Sequence, residues 1–211
     1  MIKVLVVDDH VLIRKGLVLL LQAYPEISIV GEAGEGEEAI KIALKEEPDV
    51  ILMDISMPNG IDGIVATQEI LRHSKKIKVI LLSMHDEEGY IQKAIEIGAN
   101  GYILKNSQGG DLYRAIEQVH KGERYYKVGL PPEQIERMFG NKGKKQASVL
   151  TLREQEVLRL VVYGNTNKQI SLKLSISPKT VENHKANIMN KLNLKQKSEL
   201  IQYAIANRYI D

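Results

Sequence analysis

The chain has 211 residues, of which 44% are hydrophobic and 27% charged, with no Cys and a formal net charge of +2. That length allows two modest domains with their own cores, and the lack of Cys excludes disulfides and Cys-ligated zinc or iron–sulfur sites. No apolar run reaches the roughly 18 residues that suggest a bilayer span, and no charged-then-apolar leader opens the chain, so a cytoplasmic protein without membrane contact is expected.

Over residues 1–120, strand-like and helix-like patterns alternate. "IKVLVVDD" is an apolar run ending in acids, "VLIRKGLVLLLQAY" has apolar residues at helical spacing, and "EISIVGEA" returns to strand. "EGEEAIKIALKE" reads as helix, "DVILMD" as strand, "IVATQEILRHS" as helix and "KVILLS" as strand. "DEEGYIQKAIEIGA" is a helix ending at Gly, "GYILK" a short strand and "GGDLYRAIEQVHKG" a fifth helix. Five β-α units with nearly unbroken apolar strands predict a doubly wound, five-stranded parallel sheet covered on both faces. "GEGEEA" fits a dinucleotide fingerprint, but it follows the second strand and would turn Glu35, Glu37 and Glu38 toward a pyrophosphate; it reads as a turn and helix start.

In such a sheet, ligands sit beyond the carboxyl ends of the strands. Asp8 and Asp9 follow the first strand, Asp54 ends the third, Ser83 the fourth, and Lys105 follows the fifth. Three acids gathered there repel one another unless a cation joins them, and an all-oxygen set suits Mg²⁺. One carboxylate could then act as nucleophile toward a phosphoryl group, with Lys105 and Ser83 serving its oxygens. The five His residues are scattered without helical pairing, so no His-based metal site is expected.

"VVDDH", "LMDISMPNGIDG", "LLS" and "GYILK", in this order, resemble the receiver domain of bacterial two-component response regulators over about residues 2–122. The resemblance implies a flavodoxin-like strand order 2-1-3-4-5. It makes Asp54 the phosphoacceptor, with Asp8, Asp9, Asp54 and the main-chain carbonyl of Ser56 as Mg²⁺ ligands. Lys105 becomes the phosphate contact, and Ser83 and Tyr102 the switch pair.

Residues 123–146 contain Pro131-Pro132 and two Gly among lysines, and read as a linker with one short helix at 132–139. Charge changes sign here: residues 1–120 hold 12 Lys and Arg against 19 Asp and Glu, residues 121–211 hold 17 against 8. The basic part is the natural candidate for a polyanion. "TLRE" is a capping box opening a helix that runs to Gly164, and "TNKQ" repeats the device for a short second helix. "SISPKTVENHKANIMNKL" supplies a tight turn, Ser177 as N-cap and Pro178 at the first helical position, and a fourth helix begins near Ser198. Two short helices joined by a tight turn make a helix-turn-helix. On it, Lys168, Lys179, Thr180, Lys185 and Lys191 are candidates for phosphate contacts, and Asn183 with Glu182 for reading bases.

Residues 147–211 thus form a smaller all-α, four-helix DNA-binding domain, and "LTLREQEVLRLVVYGNTNKQISLKLSISPKTVENHKANIMNKL" resembles the LuxR-type helix-turn-helix. Receiver plus this module is the arrangement of the NarL/FixJ class of response regulators. The resemblance implies a transcription regulator whose Asp54 is phosphorylated by a cognate sensor histidine kinase, changing dimerisation and promoter binding. Other readings are a constitutive DNA-binding protein with the receiver as a dimerisation scaffold, or a Mg²⁺-dependent phosphotransferase or phosphatase. Ser56 stands where such an enzyme places a general acid, and no substrate-binding insertion is seen, so turnover of a separate substrate is not expected.

Overall fold

The computed structural model describes residues 1–57, 60–84, 88–107, 109–140, 150–174, 176–194 and 196–206. The chain divides into two compact units, Met1–Lys144 and Lys145–Asp211. In the first unit the strands are β1 (Ile2–Val7), β2 (Ile27–Ala33), β3 (Val50–Asp54), β4 (Lys78–Ser83), β5 (Gly101–Leu104) and β6 (Tyr125–Lys127). Its helices are α1 (Val11–Gln22), α2 (Gly36–Glu46), α3 (Gly63–His73), α4 (Glu88–Ile97), α5 (Gly109–His120) and α6 (Pro132–Gly140). The strands pair in parallel in the order β2-β1-β3-β4-β5-β6.

The expected order 2-1-3-4-5 is present, and the sheet carries one strand more than expected, beside β5. β1, β3 and β4 are almost wholly buried because helices cover both faces of the sheet. Val4, Val6, Val50, Leu52, Ile80 and Leu82 pack with Val18 and Leu21 of α1 and Leu112, Ile116 and Val119 of α5. Alternate positions, among them Leu5, Val7, Ile51, Met53 and Leu81, are buried toward the other face, where α2, α3 and α4 pack. Each such aliphatic side chain contributes about 1.5–3 kcal/mol, which is what makes an ionised side chain tolerable at the sheet's edge.

The stretch after α5, expected to be linker apart from one short helix, is built onto this unit as far as Gly140. β6 pairs Tyr126 with Tyr102, and the Tyr126 hydroxyl donates to the Ala99 carbonyl at 2.7 Å. Its ring meets Phe139 edge-on at 5.2 Å, and the Arg124 guanidinium lies 4.1 Å over that Phe. Lys127 reaches Asp111 of α5 at 2.7 Å, and Gln134 of α6 donates to Glu88 of α4. A three-residue strand has too little length for a period, so its pairing was invisible in the pattern.

The second unit consists of α7 (Leu152–Val162), α8 (Asn167–Lys173), α9 (Pro178–Lys191) and α10 (Lys197–Ala206). Val157, Leu158, Val161, Ile170, Val181, Ile188, Leu200 and Ala204 form its core. Capping boxes open α7 (Thr151 with Glu154) and α8 (Thr166 with Gln169), and Ser177 caps α9 by accepting from the Thr180 amide at 3.0 Å. These caps use polar side chains to satisfy helix-end amides, and they fix where α7, α8 and α9 begin.

Candidate functional site

Asp8 follows β1 and Asp54 ends β3, an adjacent strand, so the parallel register brings their carboxyl groups to the same edge. Asp54 is only 1% exposed and Asp8 is fully buried. The Lys105 amine, reaching in from the end of β5, stands 2.8 Å from Asp8 Oδ2 and 2.9 Å from Asp54 Oδ2. The Lys105 amide donates to the Ser83 carbonyl at 2.7 Å, which fixes the base of its side chain to β4. Asp54 Oδ1 accepts from the Ser56 amide at 3.2 Å, and Asp8 Oδ1 from the His10 amide at 2.9 Å.

Burial is the largest influence on Asp54, raising its pKa to about 6; Asp8 adds to the rise, while Lys105 and the Ser56 amide oppose it. Burial alone would pull the Lys105 ammonium down, but Asp54 and Asp8 outweigh it, and its pKa lies above the usual lysine value. The result is a carboxylate that remains mostly ionised above pH 7 yet is more basic than an ordinary Asp, beside a permanent cation. Such a pair can attack an electrophilic phosphorus and then neutralise the oxygens that arrive with it.

Asp8, Asp9, His10 and Asp54 can each place one ligand atom so that all lie within 4.8 Å of one another. Among the described residues, Asp8 Oδ2 and Asp54 Oδ2 are buried and accept no hydrogen bond, having only the Lys105 ion pairs. Oxygens of this kind, grouped with the partly exposed Asp9, fit a hard divalent cation. Ser56 lies two residues beyond Asp54 and is half-buried. Ser83 is buried at the end of β4, and Tyr102 is fully buried in β5.

The bend after Asp54 depends on two glycines. Gly60 has φ +72, a left-handed conformation that suits Gly. A Cβ on Gly63 would stand 1.9 Å from the Asp54 carbonyl oxygen, so the start of α3 can lie against the end of β3 only without a side chain. Asp62 caps α3, accepting from the Val65 amide at 2.8 Å.

In the second unit, Lys168 and Lys179 are exposed, as are Glu182, Asn183, Ala186, Asn187 and Asn190 along one face of α9. Lys179 stands 3.3 Å from Glu182, and the Thr180 hydroxyl lies 2.8 Å from the Ser177 hydroxyl at the helix start. Two other candidates make contacts between helices. Lys185 donates to Asn167 of α8 at 3.0 Å, and Lys191 reaches Glu154 of α7 at 2.8 Å, joining the end of α9 to the capping box of α7.

Sequence reasoning missed four participants. His10 has no helical pairing with another His in the sequence, yet its ring lies 2.7 Å from Asp9. Arg14, one turn into α1, donates to the Asp8 carbonyl and pairs with Glu32. Gly63 had a readable signal, a Gly opening a helix shortly after the acid, but the close approach that requires it is tertiary. Asn187 adds to the polar face of α9 at the spacing of Asn183 and Asn190.

Residues 4–117 match the family of response regulator receiver domains, and residues 148–204 match the luxR family of bacterial regulatory proteins. The chain is 37% identical to the oxygen regulatory protein NreC of Staphylococcus carnosus (strain TM300) and 38% to that of Staphylococcus aureus (strain JH9), over 99% of both chains in each case. Among solved structures it is similar to the response regulator ChrA of a heme-sensing two-component system, at 32% identity and TM-score 0.51, covering 99% of this chain and 98% of that one. It is also similar to the response regulator RcsB in its complex with DNA, at 28% identity and TM-score 0.57 over 96% of each chain.

Proposed function

Because this chain belongs to the response regulators that join a receiver domain to a LuxR-type DNA-binding domain, we propose that Asp54 accepts a phosphoryl group from a partner histidine kinase and that this event controls binding to promoter DNA. The observation that carries the reading is the buried pair of Asp54 and Asp8 bridged by Lys105 at 2.9 and 2.8 Å, at the carboxyl edge of a parallel sheet. The cation would be Mg²⁺, which the carboxylates of Asp8, Asp9 and Asp54 and the main-chain carbonyl of Ser56 would hold. When bound, Mg²⁺ offsets the repulsion among the acids and the charge of the phosphoryl oxygens.

An Asp54 carboxylate oxygen forms the new bond to phosphorus as the bond from phosphorus to the kinase His nitrogen breaks, and the imidazole departs with the bonding pair. Lys105 keeps its ammonium against the added negative charge, and the Ser83 hydroxyl, at the end of the neighbouring strand, donates to a phosphoryl oxygen. Ser83 drawn to the phosphoryl group, with Tyr102 inward behind it, biases a pre-existing equilibrium between two surfaces of the receiver. One of them favours a homodimer whose α9 helices enter the major groove at half-sites about one helical turn apart. Lys168 and Lys179, with the Thr180 end of α9, contact phosphates, and Asn183 with Glu182 meets base edges.

The test is incubation of the full chain with Mg²⁺ and a small phosphoramidate or acyl phosphate, followed by intact mass, size-exclusion chromatography and DNA binding. The wild type gains one phosphoryl group and changes its oligomeric state and DNA affinity, and Asp54→Ala does neither. Equal labelling of Asp54→Ala, or DNA affinity indifferent to labelling, overturns the reading.

A further inference from the structure

We propose that His10 supplies a nitrogen ligand to the cation site, so that this receiver takes borderline divalent transition ions such as Co²⁺ and Zn²⁺ with an affinity that the carboxylates alone do not provide. The inference rests on the reading of Asp8, Asp9 and Asp54 as a cation site and concerns what that site selects.

His10 is the N-cap residue of α1, where Ser, Thr, Asp or Asn would satisfy a helix-end amide, yet its side chain makes no capping hydrogen bond. The ring turns instead to the acids, with Nδ1 2.7 Å from Asp9 Oδ1 and 3.6 Å from Asp8 Oδ1. Its main chain is held independently: the amide donates to Asp8 Oδ1, and the carbonyl accepts from the Arg14 amide at 3.0 Å. The ring is therefore aimed by an anchored backbone, and at 61% exposure it has room to rotate.

The four candidate ligand atoms lie within 4.8 Å of one another. Opposite ligands of a six-coordinate ion with bonds of about 2.1 Å stand about 4.2 Å apart, so a small rotation of the exposed ring closes the set. The carboxylates have room for a cation on their own side: Asp8 Oδ2 and Asp54 Oδ2 are buried, accept no hydrogen bond among the described residues, and are met by the Lys105 ammonium at 2.8 and 2.9 Å. A bound transition ion would take the place of the Nδ1–Asp9 contact, with His10 coordinating as the neutral tautomer whose single proton is on Nε2. Carboxylates favour hard ions such as Mg²⁺, whereas an added imidazole favours Co²⁺ and Zn²⁺.

The competing explanation is that His10 only steadies Asp9 through their hydrogen bond. In that case every cation would lose affinity together when the ring is removed. Calorimetric titration of the full chain with Mg²⁺, Co²⁺ and Zn²⁺ separates the two, using wild type, His10→Gln, His10→Asn and Asp9→Asn, with the visible bands of bound Co²⁺ as a second readout. Asn is a good N-cap, so the His10→Asn variant keeps the start of α1 intact. The expected result is Mg²⁺ affinity within about twofold of wild type in both His10 variants. Co²⁺ and Zn²⁺ weaken about tenfold or more, and the Co²⁺ bands shift as a nitrogen donor is lost. Unchanged Co²⁺ and Zn²⁺ affinities, or a Mg²⁺ loss equal to theirs, overturn the role of His10 while leaving the cation site standing. If the wild type binds none of the three ions and Asp9→Asn changes nothing, the cation-site reading fails and takes this inference with it.

Discussion

Asp54 is held at the edge of an apolar sheet against the preference of a carboxylate for water, and its raised pKa records that tension. The folded chain holds this proton up to about pH 6, while an unfolded Asp releases it near the ordinary value of 3.8. The folded state therefore binds more protons than the unfolded one in that window, and this residue's contribution to stability is present at low pH and lost as pH rises through 6. With a chelator present, Asp54→Asn should melt above the wild type at pH 8, by on the order of 2 kcal/mol, and the gap should close toward pH 4. Calorimetric melts across that range check it, and a gap that stays constant with pH would mean that Asp54 is not strained by burial. A second residue-scale consequence belongs to Gly63. A methyl group there meets the Asp54 carbonyl at 1.9 Å, so Gly63→Ala must push α3 away from the end of β3. Phosphoryl uptake by the full chain should fall at least tenfold and the receiver should lose about 1–3 kcal/mol of stability, measured by labelling rate and denaturant melts.

The elements differ in how openly the sequence announced them. β1, β3 and β4 are unbroken apolar runs, and the two capping boxes are spelled out by Thr and Glu or Gln three residues apart, so these could be read directly. The acids at strand ends were legible for the same reason, since a run that stops on Asp at a sheet's carboxyl edge has few structural uses. β6 was not legible, because Tyr125–Lys127 becomes a strand only through its register with β5. Nor were the inter-helix partners of Lys185 and Lys191, which depend on how α7, α8 and α9 pack. The ties on β6 suggest how to test its weight. Burial pushes the Tyr126 hydroxyl above the usual tyrosine range, so it remains a donor to Ala99 at any working pH. Tyr126→Phe leaves that carbonyl without its donor and should cost the first unit about 1 kcal/mol. Hydrogen exchange should quicken in β6 and α6 while β1 and β3 keep their protection. Uniform quickening across the sheet would show that β6 is no separate layer of stability.

At the scale of the whole chain, the small net charge of +2 is the remainder of two opposed fields, and this makes the DNA reading quantitative. The second unit, residues 145–211, holds 11 Lys and Arg against 5 Asp and Glu, an excess of six positive charges, while residues 1–144 hold 18 against 22, an excess of four negative ones, so attraction to a polyanion comes from the LuxR-type unit. Attraction of this kind weakens with salt in proportion to the number of phosphates contacted, each adding about 0.9 to the slope of log affinity against log salt. Lys168 and Lys179 are exposed on the helix pair, so Lys168→Ala and Lys179→Ala should each lower the slope by about one and weaken all DNA sequences alike. Lys191 is different: its side chain is 39% exposed and its amine rests 2.8 Å from the buried Glu154. Lys191→Ala should therefore leave the slope nearly unchanged and instead lower the melting temperature of the second unit, because Glu154 loses a partner. Asn183→Ala should keep the slope as well but flatten the preference among sequences, as expected of a side chain that meets base edges. Fluorescence anisotropy against one promoter pool at several salt concentrations separates the three behaviours. If Lys191→Ala reduces the slope as much as Lys179→Ala does, the Glu154 pair opens on DNA and the whole end of α9 joins the phosphate-contacting surface.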